Sequence, residues 1–168
     1  MATEIERKFL VHGEEWRQGI PTRLWQGYLN RDKERTVRVR IAGNRAYLTI
    51  KGLTKGFSRL EFEYEIPLRD AEALMTLCDG PPLEKNRYTV KHAGAVWEID
   101  EFLGANAGLV LAEIELTDER QAFQPPSWLS TEVTHDPRYF NSNLTAVSLF
   151  DVAPRIIMEH RTAGLCPL

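Results

Sequence analysis

The residues best suited to chemistry are acids and bases at every second position of short extended segments. In Glu4-Ile5-Glu6-Arg7-Lys8-Phe9-Leu10-Val11 a strand places Glu4, Glu6 and Lys8 on one face and Ile5, Phe9 and Val11 on the other. Two carboxylates about 7 Å apart repel by roughly 2 kcal/mol at an effective dielectric near 20, so their fold must bring positive charge to them. The same phase recurs downstream. Thr36 to Ile41 offers Arg38 and Arg40, Ala46 to Lys51 offers Thr49 and Lys51, and Arg59 to Ile66 offers Arg59, Glu61, Glu63 and Glu65. Leu83 to His92 adds Lys85 and Arg87, Val96 to Phe102 adds Glu98 and Asp100, and Leu109 to Thr117 adds Glu113 and Glu115. Carboxylates hold hard divalent cations, and Lys and Arg hold phosphate oxygens, so a metal-bridged polyphosphate satisfies both sets at once.

These positions need strands to carry them. With Arg23 to Asn30, the segments above make about eight strands joined by small turns, the clearest being Ala42-Gly43-Asn44. Eight strands suffice to close an antiparallel up-and-down barrel with a few helices outside, a mainly β (α+β) fold whose charged faces converge in a tunnel. On one strand, alternating charge describes a solvated face of a half-buried sheet. Over the whole set it does not, because ordinary surfaces intersperse signs, whereas acids cluster here on some strands and bases on others.

The period changes in two places. Ala71, Leu74, Met75 and Cys78 at helical spacing predict a helix over Asp70 to Cys78, closed by Gly80-Pro81-Pro82. Asp118 to Phe123 reads as a short helix, Glu132-Val133-Thr134 as a short extended piece, and Asn143 to Phe150 as a helix capped by Asn143. The tail from Asp151 shows no strong periodicity.

The chain has 168 residues and 43% hydrophobic residues, which fits a single domain over 1–168. A formal net charge of -3 argues against a general nucleic-acid binder, so any anion site is a local concentration of bases. The two cysteines, Cys78 and Cys166, form neither a disulfide framework nor a zinc pattern and suit a reducing, cytoplasmic compartment. No run approaches a membrane span. No P-loop or G-x-G-x-x-G motif is present, and His12, His92, His135 and His160 are scattered, which suggests surface or loop roles. Trp16, Trp25, Trp97 and Trp128 read as packing residues, and Cys78 as part of a helix's apolar stripe.

Glu4-x-Glu6-x-Lys8 on a first strand resembles the E-x-E-x-K signature of the CYTH superfamily, the triphosphate tunnel metalloenzymes. Arg38-x-Arg40, Lys51, Glu61-x-Glu63, Lys85-x-Arg87, Asp100 and Glu113-x-Glu115 follow in the order of that family's tunnel residues, and the resemblance covers about residues 2–150. It implies an eight-stranded tunnel, a small-molecule triphosphate threaded inside, and Mg²⁺ or Mn²⁺, two ions, as cofactor. Gln26-Gly27-Tyr28-Leu29 and Glu132-Val133-Thr134 with Arg138-Tyr139 are similar to the short bacterial members that hydrolyse inorganic tripolyphosphate. Class IV adenylyl cyclases and thiamine triphosphatases share the signature and are the alternative enzymes. A polyphosphate-binding module is the non-enzymatic one.

Under this resemblance Lys8, Arg38, Arg40, Lys51, Lys85 and Arg87 bind phosphate, and Glu4, Glu6, Glu61, Glu63, Asp100, Glu113 and Glu115 ligate metal. Glu6, Lys8, Glu63 and Glu115 carry the chemistry, with Glu63 or Glu115 as proton acceptor. The apolar phase of Val37, Val39, Leu60, Phe62, Tyr64 and Ile114 exceeds what so few helices cover, which suggests a homodimer, with burial under the C-terminal segment as the rival explanation.

Overall fold

The computed structural model describes residues 3–145. Its strands are β1 (Thr3–Val11), β2 (Thr22–Asn30), β3 (Arg35–Ala42), β4 (Arg45–Gly52), β5 (Ser58–Ile66), β6 (Leu83–His92), β7 (Ala95–Phe102), β8 (Val110–Glu115) and β9 (Leu129–Glu132). Two helices, α1 (Leu68–Met75) and α2 (Asn141–Leu144), accompany them. The sheet runs β5-β4-β3-β2-β6-β7-β8-β1-β9, and a further β5–β1 pairing closes eight of its nine strands into an antiparallel barrel.

Strand order departs from the up-and-down expectation. The runs β2-β3-β4-β5 and β6-β7-β8 are meanders, but β1 is followed by a strand four places round the ring, and so is β5. The physical reason lies in the two long connections, each of which wraps one side of the barrel and buries its outer face. The β5–β6 connection carries α1, which packs Ala71 and Met75 on Val39 and Ala46, flanked by Trp25, Leu29 and Leu48. The β1–β2 connection follows the opposite side: Trp16 stacks edge-on to Tyr88, 5.3 Å between centroids, and Arg17 donates to Glu101. There Phe9, Trp97, Ile99, Ala112, Ile114 and Trp128 form a core outside β6, β7 and β8. Trp16, Trp97 and Trp128 are buried and Trp25 is half-buried against the α1 cluster, the packing roles expected of them.

Other boundaries move. The first helix starts at Leu68, because Pro67 supplies its N-cap and accepts from Asp70 N and Ala71 N, and it ends at Met75, three residues before Cys78. Asp118 to Phe123 is a turn, not a helix: the Asp118 carboxylate accepts from Arg120 N, and Gln121 accepts from Thr117, so local side-chain bonds replace the helical ladder. The expected helix at Asn143 begins at Asn141, and Asn143 is no cap, since its amide donates to Pro137 O at 2.7 Å. Residues 146–150 of that expectation lie outside the described residues. Extended structure expected at Glu132 to Thr134 lies earlier, at Leu129–Glu132.

Inside the barrel, one end is apolar. Leu10, Leu83, Phe102 and Leu111 continue the inward phase of Lys8, Lys85, Asp100 and Glu113, and they pack with Leu109, Val133, Tyr139 and Leu144. The interior is therefore charged over its middle and filled with hydrocarbon at one end, a shorter cavity than a uniformly charged tunnel. Among the described residues no helix is long and apolar enough to cross a membrane.

Candidate active site

The period of two carries the inward residues to a single cavity of about 900 Å³. Its wall includes Glu4, Glu6, Lys8, Arg38, Arg40, Lys51, Arg59, Glu61, Glu63, Arg87, Glu98, Glu113 and Glu115. Register brings the groups together across strands: Lys51 faces Glu61, Thr49 faces Glu63, Lys8 faces Glu113, and Glu6 faces Glu115.

Most of these charges are paired. Lys51 Nζ lies 2.8 Å from both Glu4 and Glu61, and Arg59 donates to Glu4 at 2.9 Å. Burial pushes the Glu4 carboxyl up, but Lys51 and Arg59 outweigh it and hold the pKa at about 2. One oxygen of Glu63 receives Arg38 at 3.3 Å, Arg40 at 3.2 Å and the Thr49 hydroxyl at 2.8 Å. Lys8 reaches Glu113 at 3.0 Å. Burial works against the charged form of Glu113, yet Lys8, Arg87 and Lys85 keep its pKa well below the usual carboxylate range.

Two sequence-predicted residues sit behind the wall. Lys85 and Asp100 are 0% and 1% exposed, joined at 2.5 Å, and Arg87 grips Asp100 with two bonds of 2.7 Å. Burial draws the Lys85 pKa down to about 8, opposed by Asp100. Glu65 lies outside the cavity, held by Arg45 at 2.6 Å.

Two acids lack such partners. Glu6 and Glu115 stand directly opposite each other, and neither carboxylate makes a hydrogen bond or ion pair among the described residues. Like charges so placed repel. Burial, then Glu113, raises the Glu6 pKa to about 8, and burial with Glu4, Glu61 and Glu98 raises that of Glu115. Across the cavity, the buried Nε groups of Arg38 and Arg40 have no acceptor. Burial and the neighbouring Arg38 and Arg87 lower the Arg40 pKa to about 10. Among the described residues no three carboxylate, imidazole or thiolate groups converge as a preformed metal site. The chemistry of the donors still fits a hard divalent cation, since Glu6 and Glu115 are uncompensated oxygen ligands with Glu4 and Glu61 near.

The sequence pattern assigns no site role to Tyr28, Thr36, Phe57, Thr134, His135 or Asn141, all of which line the cavity. Tyr28 and Thr36 share the inward phase of Gln26 and Arg38, a signal available in the pattern. The other four sit on loops or at element ends, where no period marks a face. His135 does occupy a loop, and its ring lies 4.8 Å from that of Phe57.

Fold and lining define a class: closed antiparallel barrels with segregated acids and bases around an enclosed polar cavity. Residues 2–146 match the CYTH domain, and the chain belongs to that family. It is 52% identical over 146 residues to an inorganic triphosphatase of Acetivibrio thermocellus, spanning 86% of this chain and 94% of that one. To an inorganic triphosphatase of Nitrosomonas europaea it is 40% identical over 150 residues, covering 84% and 96%. The crystal structure of an inorganic triphosphatase superposes with a TM-score of 0.63 at 37% identity, over 88% of this chain and 97% of that one.

Proposed function

We propose that this protein is a metal-dependent triphosphatase that hydrolyses inorganic tripolyphosphate to pyrophosphate and phosphate inside the barrel. The observation that carries the reading is the complementary deficit in the wall: Glu6 and Glu115 lack a cation, and the Arg38 and Arg40 Nε groups lack an anion. The two curated relatives that share this chain at 52% and 40% identity carry the name inorganic triphosphatase, which supports the substrate.

In this reading Glu6 and Glu115, with Glu4 and Glu61, hold Mg²⁺ or Mn²⁺, two ions. When bound, these ions screen the phosphate oxygens and acidify the attacking water. Lys8, Arg38, Arg40, Lys51 and Arg87 grip phosphate oxygens through charge-assisted bonds and hold the terminal phosphorus in line with the water. As the new P–O bond forms, the bridging P–O bond breaks and pyrophosphate leaves with its electron pair. Glu115 accepts the water proton, a role that falls to it because the Glu63 oxygen already receives three donors. Glu63 positions Arg38 and Arg40, while Asp100 fixes Arg87 and Lys85 from behind. The two cysteines are consistent with a cytoplasmic address.

Phosphate and pyrophosphate release from tripolyphosphate, ATP and thiamine triphosphate, each with and without Mg²⁺, tests the assignment. Orthophosphate and pyrophosphate in equal amounts from tripolyphosphate, only with metal, is the expected result. Cyclic nucleotide and pyrophosphate from ATP in its place overturns it. The reading includes a homodimer: the structure buries Val39 and Ile114 but leaves Leu60, Phe62 and Tyr64 exposed at 45%, 37% and 55%. Light scattering at assay concentration checks this, and a strict monomer removes it.

A further inference from the structure

Strand β1 changes partners in the middle of the site. On one edge it pairs with β5 through Thr3 to Ile5, and Glu6 N donates to Phe57 O. Beyond that point β5 is gone, and the same edge is taken up by the segment around β9, with Phe9 opposite Glu132. The exchange falls between Glu6 and Lys8, two residues whose side chains must enter the cavity at fixed depth.

At Lys8 the edge is held by a side chain. Lys8 N donates to the Thr134 hydroxyl at 3.0 Å, and Val133 N donates to Lys8 O at 2.8 Å. The hydroxyl can accept there because its own proton goes to Glu132 Oε1, 2.7 Å away. Glu132 is fixed in turn by two bonds from Arg7, at 2.8 and 2.6 Å. Arg7 precedes Lys8 and points out of the barrel, so the chain of bonds runs from one β1 residue round to the backbone of the next. Its guanidinium is packed among the rings of Phe9, Phe57 and Phe123 at 5.5, 5.6 and 5.1 Å.

We propose that Thr134 is a positioning residue for Lys8: its hydroxyl, oriented by the Arg7–Glu132 pair, replaces the missing β5 partner and sets the depth at which the Lys8 ammonium meets a phosphate. The proposal rests on the triphosphatase reading. The hydroxyl is engaged by Lys8 N and Glu132, so its loss acts on the grip of Lys8 and leaves the hydrolytic step intact.

Calorimetric titration of tripolyphosphate in EDTA reads this without turnover. Thr134→Val keeps shape and removes the hydroxyl; affinity falls about fivefold, the worth of one net hydrogen bond, and in the metal-loaded enzyme KM rises by a similar factor with kcat little changed. Thr134→Ser restores both. In a Lys8→Met background Thr134→Val has no further effect on affinity, because the group it positions is absent. Equal losses with and without the Lys8→Met substitution, failure of Thr134→Ser to rescue, or a fall confined to kcat each overturn the proposal. If Thr134→Val does not fold, Glu132→Gln in the same two backgrounds serves, with about a twofold loss expected only where Lys8 is present. Absence of wild-type hydrolysis of tripolyphosphate refutes the triphosphatase reading, whereas the EDTA titration still decides the role of Thr134.

Discussion

Glu6 shows how one side chain can oppose folding while serving the site. Burial and the neighbouring Glu113 raise its pKa to about 8 from 4.5, and the attraction of Lys8 and Lys51 offsets this only in part. A carboxyl whose folded pKa lies above its unfolded value leaves stability intact below pH 4.5, and costs stability progressively as pH rises through 8. Glu6→Gln removes that cost. Metal-free thermal melts should therefore show wild type losing ground to the variant between about pH 5 and about pH 9, while metal-dependent phosphate release by the variant falls at least about a hundredfold. Parallel melting curves across that range would contradict the buried, uncompensated acid. Asp100 is the opposite case, an acid surrounded by Lys85 and Arg87 at 1% exposure. Asp100→Asn leaves two buried cations without their counter-charge and should cost about 3 to 5 kcal/mol in urea unfolding. A loss below about 1 kcal/mol would show that Glu113 and Glu98 already suffice to neutralise them.

At the scale of elements, α1 reaches the barrel through a gap that only glycine leaves. A Cβ on Gly27 would stand 2.8 Å from Cys78 Sγ, 2.9 Å from its Cβ and 3.0 Å from Met75 Sδ. Gly27→Ala should push the helix end off β2 and cost about 1 to 3 kcal/mol, as overpacking does. Adding Cys78→Ala should recover most of that loss in the urea midpoint; an unrecovered double variant would place the strain elsewhere. The phase of each strand could be read from sequence because inward charge alternates with outward hydrocarbon, so a slip of one residue in Arg59 to Ile66 would turn every acid outward. The alternation alone therefore aims Glu61 and Glu63 inward, and both line the wall. The neighbours of β1 and β5 could not be read, because Ile5 pairing with Ser58 depends on where two long connections travel and not on any local period. Arg87 and Asp100 are direct cross-strand partners that share the inward phase, yet the long Arg87 side chain reaches the cavity and covers the short carboxylate beneath it, a difference of side-chain length that phase does not reveal.

The whole cavity is close to neutral without ligand. Among the described residues its wall carries six bases, Lys8, Arg38, Arg40, Lys51, Arg59 and Arg87, against seven acids, Glu4, Glu6, Glu61, Glu63, Glu98, Glu113 and Glu115. A polyanion entering alone meets bases already engaged by acids and leaves a large uncompensated negative charge in an enclosed space, where such charge is poorly screened. Divalent cations entering alone bind Glu6 and Glu115 but leave the free Arg38 and Arg40 donors unsatisfied. Together they release each acid from its base and give every group an opposite charge. Binding of the two ligands must therefore be cooperative, and thermodynamic reciprocity requires each to strengthen the other by the same factor. In thermal-shift titrations of the wild-type protein with an imido-bridged tripolyphosphate analogue, chosen to prevent turnover, the analogue alone and Mg²⁺ alone should raise the midpoint slightly, and the pair should raise it by clearly more than the sum. The excess should correspond to at least a tenfold gain in affinity, about 1.4 kcal/mol, after correction for the complex the two form in solution. Strictly additive shifts would mean that cation and triphosphate do not share this cavity, and with that the proposed division of labour between its acids and bases would fail.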